Sequence, residues 1–307
     1  MTNRIMVIGS TGLIGRSLVR FLSVGGNDVV SVSREPEKAR RMFPGLVSYE
    51  KLPLDPEEIR KIAEGSKAVI NMSGSSAFEK YPDYDRIVRE SRVELTELIS
   101  AGIALCENKP EVFINSSASG YYGPGGPGDT FTEESPGGND YWGKLVKDWE
   151  SATRKAEDAG VRTVKIRTSV VLSGDGGALS QLVPVFRKHL GGYIKPGNQF
   201  FSWIHINDEI GLIDFSMRNR GLSGAVNATS PGYVTSREFF SAIGKVMGRK
   251  ASIGIPEFIL KARVGKAFGL LAAGGKIVPE KALKNGYQFK YTDVEKALSD
   301  IIPGMNA

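Results

Sequence analysis

A glycine-rich segment near the N-terminus constrains the fold of this chain more than any other feature. The apolar run Ile5-Met6-Val7-Ile8 has the pattern of a buried strand, and it leads directly into Gly9-Ser10-Thr11-Gly12-Leu13-Ile14-Gly15. Apolar residues at helical spacing follow, among them Leu18 and Leu22. A strand, a three-glycine turn and a helix in this order indicate a dinucleotide-binding unit. In such a unit the glycines permit a tight turn, close approach of a pyrophosphate and close packing of helix on strand.

Apolar strand runs and helical stretches then alternate as far as about residue 170. Such alternation predicts a parallel sheet with helices on both faces, in which ligands bind at the carboxyl ends of the strands. The predicted fold is therefore α/β, a Rossmann-type doubly wound parallel sheet. Further strands are predicted at Val29–Ser33, Ala68–Asn71, Val112–Asn115 and Thr163–Thr168, and helices near Pro56–Ala63, Asp83–Asn108 and Asp140–Ala159.

Beyond about residue 170 the alternation weakens, and glycine-rich stretches separate the helical segments Ser236–Met247 and Glu257–Leu271. We expect residues 1–170 to form the nucleotide-binding domain, with some later segments returning to its sheet. Residues 171–303 are expected to form a smaller C-terminal α/β lobe on the substrate side. Glycine is concentrated accordingly, because 17 of the 37 glycines lie within residues 9–15, 120–143 and 174–197.

Composition argues against several other classes of protein. The chain of 307 residues has one cysteine, Cys106, and two histidines, so we expect neither an intrachain disulfide nor a metal site. No apolar run reaches the length of about 18 residues that a membrane span needs. The N-terminus shows no signal-peptide pattern, which favours a cytoplasmic protein without a membrane partner.

The net charge of +6 has a defined location. Residues 245–307 contain 11 Lys and Arg against 5 Asp and Glu, whereas residues 1–244 contain 29 of each kind. The excess therefore belongs to the C-terminal segment, which lacks any recognisable nucleic-acid-binding module. We expect no nucleic-acid partner and interpret the segment as a solvated basic face, with a contact surface for an anionic ligand or partner as the alternative.

The end of the second predicted strand bears on the choice between NAD and NADP. NAD-binding proteins place Asp or Glu there for the ribose hydroxyls, but this chain reads Ser33-Arg34-Glu35. Ser33 leaves room, and the Arg34 guanidinium suits a 2′-phosphate. These residues predict NADP(H) rather than NAD, unless Glu35 faces the ribose.

Several later motifs carry a resemblance to a known family. With the glycine spacing and a strand ending in Asn71-Met72-Ser73-Gly74, the chain resembles the extended short-chain dehydrogenase/reductases, and specifically their atypical sugar-nucleotide-epimerase-like branch. The resemblance covers nearly the whole chain. It implies an NADP(H)-dependent oxidoreductase or epimerase acting on a hydroxyl or carbonyl carbon of a small molecule, a sugar nucleotide being one candidate. The motifs are Ser117-Ala-Ser-Gly-Tyr121-Tyr122-Gly123, Asp148-Trp149-Glu150, Gly176-Gly-Ala-Leu179, Gln199-Phe-Phe-Ser-Trp203-Ile-His205 and Gly286-Tyr-Gln-Phe-Lys-Tyr291.

The resemblance also implies catalysis by Ser, Tyr and Lys, with Tyr exchanging a proton and Lys four residues after it on one helix. Ser117 matches the Ser position. Tyr141 begins the expected helix, but Leu145 stands four residues later and Lys144 three, a difference of about 100° in azimuth. Tyr141 with a displaced Lys144, or Tyr121 or Tyr122 in its place, are open alternatives. Another is that a different residue acts, or that the chain is an NADP(H)-binding regulatory protein without turnover.

The remaining candidates follow from their positions in the resemblance. Along the cofactor we place Asn71, Ser73 and Gly74 at one strand end, Leu54 and Asp55 near the adenine, and Arg167. The alternative role of Asp55 is that of a helix N-cap before Pro56. The alternative for Arg167 is a structural ion pair. On the substrate side the candidates are Arg187, Lys195, Gln199 and His205, with a solvated loop and a core histidine as the alternatives. Related proteins form dimers through helices beside the active site, so a homodimer is also an expectation.

Overall fold

A computed structural model describes residues 3–45, 48–52, 54–251, 253–271 and 274–306. The chain divides into two compact units. The first combines the chain up to Ser117 with Leu145–Ile166 and Ile213–Val226, and the second combines Ala118–Lys144 and Arg167–Leu212 with the chain from Asn227 onward. Each unit is thus assembled from separated stretches of sequence. Among the residues that the structure describes, no helix is long and apolar enough to cross a membrane.

Strands and helices alternate through the described residues. The strands are β1 (Arg4–Ile8), β2 (Asp28–Ser33), β3 (Ser48–Lys51), β4 (Ala68–Asn71), β5 (Val112–Ala118), β6 (Thr130–Phe131), β7 (Thr163–Thr168), β8 (Val170–Leu172), β9 (Gly192–Ile194), β10 (Trp203–His205), β11 (Gly224–Ala228), β12 (Ile253–Ile255) and β13 (Lys276–Ile277). The α-helices are α1 (Leu13–Val24), α2 (Pro36–Met42), α3 (Pro56–Ala63), α4 (Tyr84–Arg89), α5 (Leu95–Leu105), α6 (Tyr141–Ser151), α7 (Arg154–Asp158), α8 (Ala178–Arg187), α9 (Ile206–Arg218), α10 (Ser236–Val246), α11 (Glu257–Val264), α12 (Phe268–Leu271), α13 (Glu280–Lys284) and α14 (Val294–Ile301).

A seven-stranded sheet in the order β11-β7-β5-β4-β1-β2-β3 confirms the predicted fold. The pairs β1–β2, β2–β3, β1–β4 and β4–β5 are parallel, and Ile8 lies beside both Val32 and Asn71. The chain builds outward from β1 in one direction through β3 and then returns to add β4 on the other side. This reversal makes the carboxyl end of β1 the topological switch point, where open α/β sheets bind their ligands.

The core of the first unit explains why the apolar runs form this sheet. Met6, Ile8, Val69 and Phe113 are completely buried and pack in one cluster, each contributing about 1.5–3 kcal/mol by leaving water. Helices α3 and α5 pack so closely that a Cβ on Gly102 would lie 2.6 Å from the Ile59 side chain. The predicted apolar strands are thus the centre of the unit.

The second unit has a separate core. Three two-stranded parallel pairs, β8–β10, β9–β12 and β6–β13, lie within it. Phe201 stacks on Phe239 with ring centroids 4.2 Å apart, and Leu298 of α14 packs in the same cluster. The last helix therefore forms part of the hydrophobic core.

Two predicted helices are interrupted. A π-turn at Glu90–Glu94 separates α4 from α5 inside the predicted helix Asp83–Asn108. The predicted helix Asp140–Ala159 divides into α6 and α7, because the Thr153 hydroxyl donates to the Glu150 carbonyl at 2.7 Å and so competes with the helical backbone.

Candidate cofactor and catalytic groups

Two of the three glycines of the predicted phosphate loop are required by backbone packing. Gly9 has a φ of +76°, and a Cβ there would lie 2.7 Å from the backbone of Met72. A Cβ on Gly15 would lie 2.2 Å from the Gly9 carbonyl oxygen. At Gly12 the nearest atom would be 3.3 Å away. Gly9 and Gly15 therefore serve the turn and the helix–strand contact, whereas space at Gly12 remains for a ligand.

The helix after this loop begins without a side-chain cap. Gly12 is its N-cap residue, and within the described chain no side chain accepts a hydrogen bond from its first turn. The amides of Leu13 and Ile14 thus stand at the positive end of the helix dipole, which suits a phosphate. The Ser10 hydroxyl is buried, accepting from Ser31 Oγ at 2.7 Å and lying 3.3 Å from the Val32 carbonyl oxygen. Ser10 consequently ties the loop to β2, while Thr11 is half-buried.

The three consecutive residues at the end of β2 differ in their exposure and in their contacts. Ser33 is buried, and its hydroxyl has no hydrogen-bond partner among the described residues. Arg34 is exposed. Glu35, whose orientation bears on the choice of cofactor, pairs with Lys38 at 3.3 Å on the exposed start of α2. Both charged side chains at the strand end, the Arg34 guanidinium and the Glu35 carboxylate, are therefore exposed, and the carboxylate has Lys38 as its partner.

Asp55 has the local role that its position before Pro56 suggests. Its Oδ1 accepts from the Glu58 amide at 2.8 Å, and Glu58 Oε2 accepts from the Asp55 amide at 2.8 Å. This reciprocal capping box starts α3. Leu54 is buried beside it, and contact of either residue with an adenine stays a prediction.

A buried amide network joins the carboxyl end of β4 to the middle of the neighbouring strand β5. Asn71 Nδ2 donates to Asn115 Oδ1 at 2.7 Å and to Thr96 Oγ1 at 3.1 Å. Asn71 Oδ1 accepts from the Ser73 amide at 3.1 Å and also from the Ser73 hydroxyl. Trp149 Nε1 donates to Thr96 Oγ1 at 3.0 Å. Asn71 therefore holds the loop that follows β4, while Ser73 is half-buried and Gly74 is exposed on that loop.

Ser117 is hydrogen-bonded to a carboxylate for which the sequence predicted no role. Its hydroxyl donates to Glu150 Oε1 at 2.6 Å, and both side chains are buried. The preceding Ser116 hydroxyl is buried with no hydrogen-bond partner in the described part of the chain. Ser117 and Glu150 consequently form a pair inside the first unit.

The Tyr122 side chain is fixed by two hydrogen bonds and a ring contact within the second unit. Its hydroxyl donates to Asn227 Oδ1 at 2.6 Å and accepts from Arg167 at 3.0 Å, and its ring stacks on Phe131. Burial raises the pKa of Tyr122 to about 12, although the Arg167 guanidinium acts in the opposite direction. Tyr122 therefore keeps its proton at neutral pH.

Tyr121 differs from its neighbour. The Arg167 guanidinium carbon lies 3.4 Å from the Tyr121 ring centroid, a close cation–π contact. Tyr121 is half-buried, and no hydrogen bond of its hydroxyl occurs among the described residues. Arg167, buried at the end of β7, also donates to the Glu133 carbonyl oxygen at 3.3 Å. Arg167 and Tyr122 are thus tied together, and the Tyr121 phenol is not part of that hydrogen-bonded group.

Tyr141 and Lys144 do not reproduce the Tyr–Lys arrangement of the superfamily. Lys144 is exposed, and Leu145, at the standard Lys spacing, is buried. A different lysine lies beside Tyr141, since Lys266 Nζ is 4.8 Å from its ring centroid. Its ring also meets Trp142 edge-on at 5.2 Å.

The four predicted substrate residues all lie in the second unit, and the side chains of Arg187, Gln199 and His205 have protein partners. Arg187 donates to the Met305 carbonyl at 2.9 Å on the surface. Gln199 closes its own loop, with Oε1 accepting from the Gly197 amide at 2.7 Å. Lys195 is exposed before a cis Pro196. Substrate contact by any of them stays a prediction.

His205 is the most enclosed of the four. Its Nδ1 accepts from the Asn207 amide at 3.0 Å, its Nε2 lies 3.2 Å from Asp300, and its ring stacks on Tyr291. Burial lowers the pKa of His205, opposed by Asp300. These contacts give the ring a packing role at the start of α9.

Several buried or half-buried residues with polar contacts were not predicted from the sequence. Each lacks a motif of its own, and only Trp149 and Glu150 belong to a motif that was noticed. The Asp-Trp-Glu triplet was the available signal, since a charged residue on the buried face of a helix indicates a polar partner. The missed residues are Arg92, Thr96, Asn115, Glu133, Trp149, Glu150 and Glu209.

Comparison with known proteins places this geometry in a family. Residues 5–228 match the NAD dependent epimerase/dehydratase family, and residues 255–301 match a domain of unknown function, DUF1731. The chain belongs to the NAD-dependent epimerase/dehydratase family. It is 33% identical over 305 residues to the mouse epimerase family protein SDR39U1, covering 97% of this chain and 99% of the mouse protein. The recognition of the sugar-nucleotide-epimerase-like branch is thereby confirmed.

Solved structures extend the comparison. Human SDR39U1, crystallised with NADPH, has a TM-score of 0.85 and 30% identity, over 98% of this chain and 99% of that one. A nucleoside-diphosphate sugar epimerase from Corynebacterium glutamicum has a TM-score of 0.76 and 28% identity, over 98% of this chain and 58% of that one. UDP-glucuronic acid 4-epimerase from Bacillus cereus has a TM-score of 0.80 at 14% identity, over 99% of each chain, which shows a shared fold alone. A related Arabidopsis thaliana protein, 34% identical over 97% of this chain and 86% of its own length, is named chloroplastic.

Proposed function

We propose that this member of the family binds NADP(H) and transfers hydride at a hydroxyl or carbonyl carbon of a small molecule. The observation that carries the proposal is the phosphate loop. Its glycines are packed against backbone at Gly9 and Gly15, and the helix behind it has an uncapped first turn within the described chain. These features fit a dinucleotide phosphate.

The residues that would hold the cofactor follow from this loop. The backbone of Ser10, Thr11, Gly12, Leu13 and Ile14 would bind the pyrophosphate, since the amides there stand at the helix N-terminus. Arg34 would pair with the 2′-phosphate, because its guanidinium is exposed at the strand end and a carboxylate such as Glu35 would repel that group. The crystal structure of human SDR39U1 with NADPH supports the same choice of cofactor. Asn71 would act indirectly, by holding Ser73 and Gly74 in place.

The bound nicotinamide supplies the hydride acceptor or donor, and the protein must exchange a proton with the substrate oxygen. Tyr121 is the tyrosine that we favour for this exchange over Tyr122. Tyr122 is locked between Asn227 and Arg167, and its pKa is raised to about 12. The Tyr121 hydroxyl makes no hydrogen bond among the described residues and is available to a ligand. Tyr141 is the second candidate, and Ser117 would act through its pair with Glu150.

Binding measurements separate the cofactor proposal from the reaction. Titration of the purified protein with NADPH and NADH, followed by nicotinamide fluorescence, should give a lower Kd for NADPH. The substitution Arg34→Ala should weaken NADPH by about tenfold to a hundredfold, the effect of losing charge-assisted hydrogen bonds, and leave NADH nearly unchanged. Arg154→Ala changes an exposed arginine on α7 and is the matched control. Equal losses for both cofactors would contradict the assignment.

A panel of carbonyl compounds, alcohols and sugar nucleotides then tests turnover, followed by NADPH absorbance and by product composition. An epimerase changes the product without net change in absorbance, whereas a reductase oxidises NADPH. Tyr121→Phe should remove turnover while the Kd for NADPH is preserved. If turnover is lost in Tyr141→Phe and kept in Tyr121→Phe, Tyr141 is the residue that exchanges the proton.

A binding protein without turnover is the second candidate function. Three observations favour it: Lys144 is exposed, Ser117 is paired with Glu150, and Tyr122 is locked. NADPH binding with no turnover, unaffected by Ser117→Ala and Tyr141→Phe, would support this alternative. A cytoplasmic location, a small-molecule substrate and a homodimer remain our predictions for the chain.

A further inference from the structure

Two cationic side chains of the second unit lie beside the hydroxyl of Tyr193, which is the middle residue of β9. Arg237 Nη2 donates to the Tyr193 hydroxyl at 2.9 Å, and the guanidinium carbon lies 4.5 Å from the ring centroid. Lys195 follows Tyr193 by two residues, so its side chain emerges on the same face of the strand. The three side chains therefore form one cluster at the surface of this unit.

A glycine on the neighbouring strand β12 explains how Lys195 approaches this hydroxyl. Gly254 pairs with Tyr193 in the parallel ladder between β9 and β12. A Cβ at Gly254 would lie 2.6 Å from Lys195 Cε and 3.1 Å from the Tyr193 hydroxyl oxygen. The Lys195 side chain thus crosses β12 through the space that a side chain at position 254 would fill, and its end lies next to the phenol.

The loop that leads from β9 to α10 fixes the phenol and the guanidinium. Gly197 has a φ of +98°, and a Cβ there would lie 2.8 Å from Tyr193 Cε2 and 3.3 Å from Arg237 Nε. The Arg237 amide donates to the Gly197 carbonyl at 3.0 Å, and the Gly197 amide donates to Gln199 Oε1 at 2.7 Å. The ring and the guanidinium are consequently held against a closed loop.

The cluster offers hydrogen-bond donors and has no acceptor for them within the described chain. The Tyr193 hydroxyl accepts from Arg237, which leaves its own proton to donate. Lys195 and Arg237 are exposed, and neither forms an ion pair with a carboxylate of the described residues. Glu238, which follows Arg237, accepts from the Thr235 amide at 2.7 Å in the cap of α10. Two cations without a counter-charge and one free hydroxyl proton are complementary to an oxyanion.

We propose that Tyr193, Lys195 and Arg237 bind a phosphate group. A phosphate monoester carries about two negative charges at neutral pH, which match the two cations, whereas a carboxylate carries one. Its oxygens can accept from the guanidinium, the ammonium and the phenol together. Because Lys195 is a predicted substrate residue, the substrate is a phosphorylated small molecule, and this last step rests on the proposed function.

NMR of labelled tyrosines tests the site without knowledge of the substrate. The full-length protein, labelled with ¹³C at tyrosine Cζ and saturated with NADPH, is titrated with inorganic phosphate and, separately, with acetate. Each titration is compared with sodium chloride at equal ionic strength. The Tyr193 signal, assigned by its loss in Tyr193→Phe, should shift saturably with phosphate and little with acetate.

Substitutions within the cluster should weaken phosphate binding in a defined order. Arg237→Met and Lys195→Met should each weaken it by about tenfold or more, the effect of losing a charge-assisted hydrogen bond. Arg237→Lys keeps the charge and should weaken it less. Gly254→Ala should weaken it by about threefold, because its Cβ displaces the end of the Lys195 side chain from the phenol.

The matched control is Lys296→Met, which removes an exposed cation of α14 and should leave phosphate affinity unchanged. Unchanged phosphate affinity in Arg237→Met and Lys195→Met would overturn the inference, as would equal shifts of the Tyr193 signal with acetate and phosphate. If thermal unfolding shows that Arg237→Met does not fold, Lys195→Met and Gly254→Ala decide the same question. Failure of the unaltered protein to bind NADPH would instead contradict the proposed function, and the phosphate titration without NADPH would still test the cluster.

Discussion

The phosphate loop of the first unit and the tyrosine–arginine cluster of the second unit are built on opposite principles. In the loop, close backbone packing leaves no room for a side chain at Gly9 or Gly15. Backbone amides and the exposed Arg34 side chain are then the groups that can contact a ligand. In the cluster, Tyr122 and Arg167 are hydrogen-bonded to each other and buried. Polar groups that satisfy one another stabilise a fold, whereas accessible donors at the end of a strand indicate a binding site.

The difference also ranks residues that look equivalent in the sequence. Tyr121 and Tyr122 are adjacent aromatics, yet of the two only the Tyr122 hydroxyl is hydrogen-bonded within the tyrosine–arginine cluster. Ser10 and Thr11 are adjacent hydroxyls of the loop, and only Ser10 is tied to β2. Substitutions within such pairs can separate residues that hold the fold from residues that would meet a ligand.

The largest effect is expected at Gly15. Gly15→Ala would place a Cβ 2.2 Å from the Gly9 carbonyl oxygen, and both atoms belong to the backbone packing of β1 and α1. Because neither can yield easily, we expect a loss of more than about 3 kcal/mol in the free energy of unfolding and no measurable NADPH binding. Urea unfolding and NADPH fluorescence measure the two quantities.

Gly12→Ala is the matched control for that substitution. Its Cβ would lie 3.3 Å from the same oxygen, so the fold should lose no more than about 1 kcal/mol. NADPH affinity should still fall by about tenfold or more, because a methyl group would occupy the space for the pyrophosphate. A Gly15→Ala protein as stable as Gly12→Ala would contradict the packing role of Gly15.

A pH-dependent effect is expected at Glu209, a side chain of the second unit that its surroundings satisfy incompletely. Glu209 is fully buried, Thr168 donates to its Oε1 at 2.8 Å, and its Oε2 has no hydrogen-bond partner within the described residues. Burial raises the pKa of Glu209 from 4.5 to about 8, although the Thr168 hydrogen bond acts in the opposite direction. The folded state thus binds the proton more tightly than the unfolded state.

The stability linked to that proton is fully present below about pH 4.5 and is lost as the pH rises through about 8. Glu209→Gln does not titrate there, so between about pH 5 and about pH 8 its free energy of unfolding should fall by about 3–4 kcal/mol less than that of the unaltered protein. Denaturant unfolding at several pH values measures this difference. Glu134→Gln, at an exposed side chain, should match the unaltered protein, and equal slopes for all three proteins would contradict the buried-acid interpretation.

A smaller effect on stability is expected at the two adjacent tyrosines, and it should differ between them. Tyr122→Phe deprives buried Asn227 and Arg167 of a hydrogen-bond partner and should destabilise the protein by about 1–3 kcal/mol. Tyr121→Phe keeps the ring beneath Arg167 and should change stability by less than about 0.5 kcal/mol. Urea unfolding compares the two variants. Equal destabilisation would mean that the Tyr121 hydroxyl also stabilises the tyrosine–arginine cluster.

The sequence predicted the sheet because its strands are local apolar runs. Ile5–Ile8, Ala68–Asn71 and Thr163–Thr168 needed no long-range information to be recognised, and the glycine spacing located the turn after β1. Strand β3 was not predicted, because Ser-Tyr-Glu-Lys at 48–51 has no apolar run and lies at the edge of the sheet. The π-turn was not predicted either, since Glu90–Glu94 has an ordinary helical composition.

The candidate site was less predictable because its buried polar contacts join distant parts of the chain. Ser117 with Glu150, and Tyr122 with Asn227, are separated by 33 and 105 residues. Neither partner shows a spacing that local periodicity can detect. Arg92 illustrates the same limit, since its hydrogen bond to the Ser75 carbonyl in the loop after β4 depends on one inserted residue in the π-turn.

The smallest effect is expected at Ser33, beside the arginine that would distinguish the two cofactors. The Ser33 hydroxyl is buried without a hydrogen-bond partner among the described residues, so it offers little direct contact to a ribose phosphate. In our interpretation Ser33 favours NADP(H) by being small and uncharged, while Arg34 makes the contact. Ser33→Ala should therefore change NADPH affinity by less than about threefold, and it should leave stability unchanged or raise it by up to about 1 kcal/mol. Ser33→Asp should lower NADPH affinity more than NADH affinity, because a carboxylate repels the 2′-phosphate. A tenfold loss of NADPH affinity in Ser33→Ala would show that the hydroxyl itself binds the cofactor, and the contrast between buried Ser33 and exposed Arg34 would then fail.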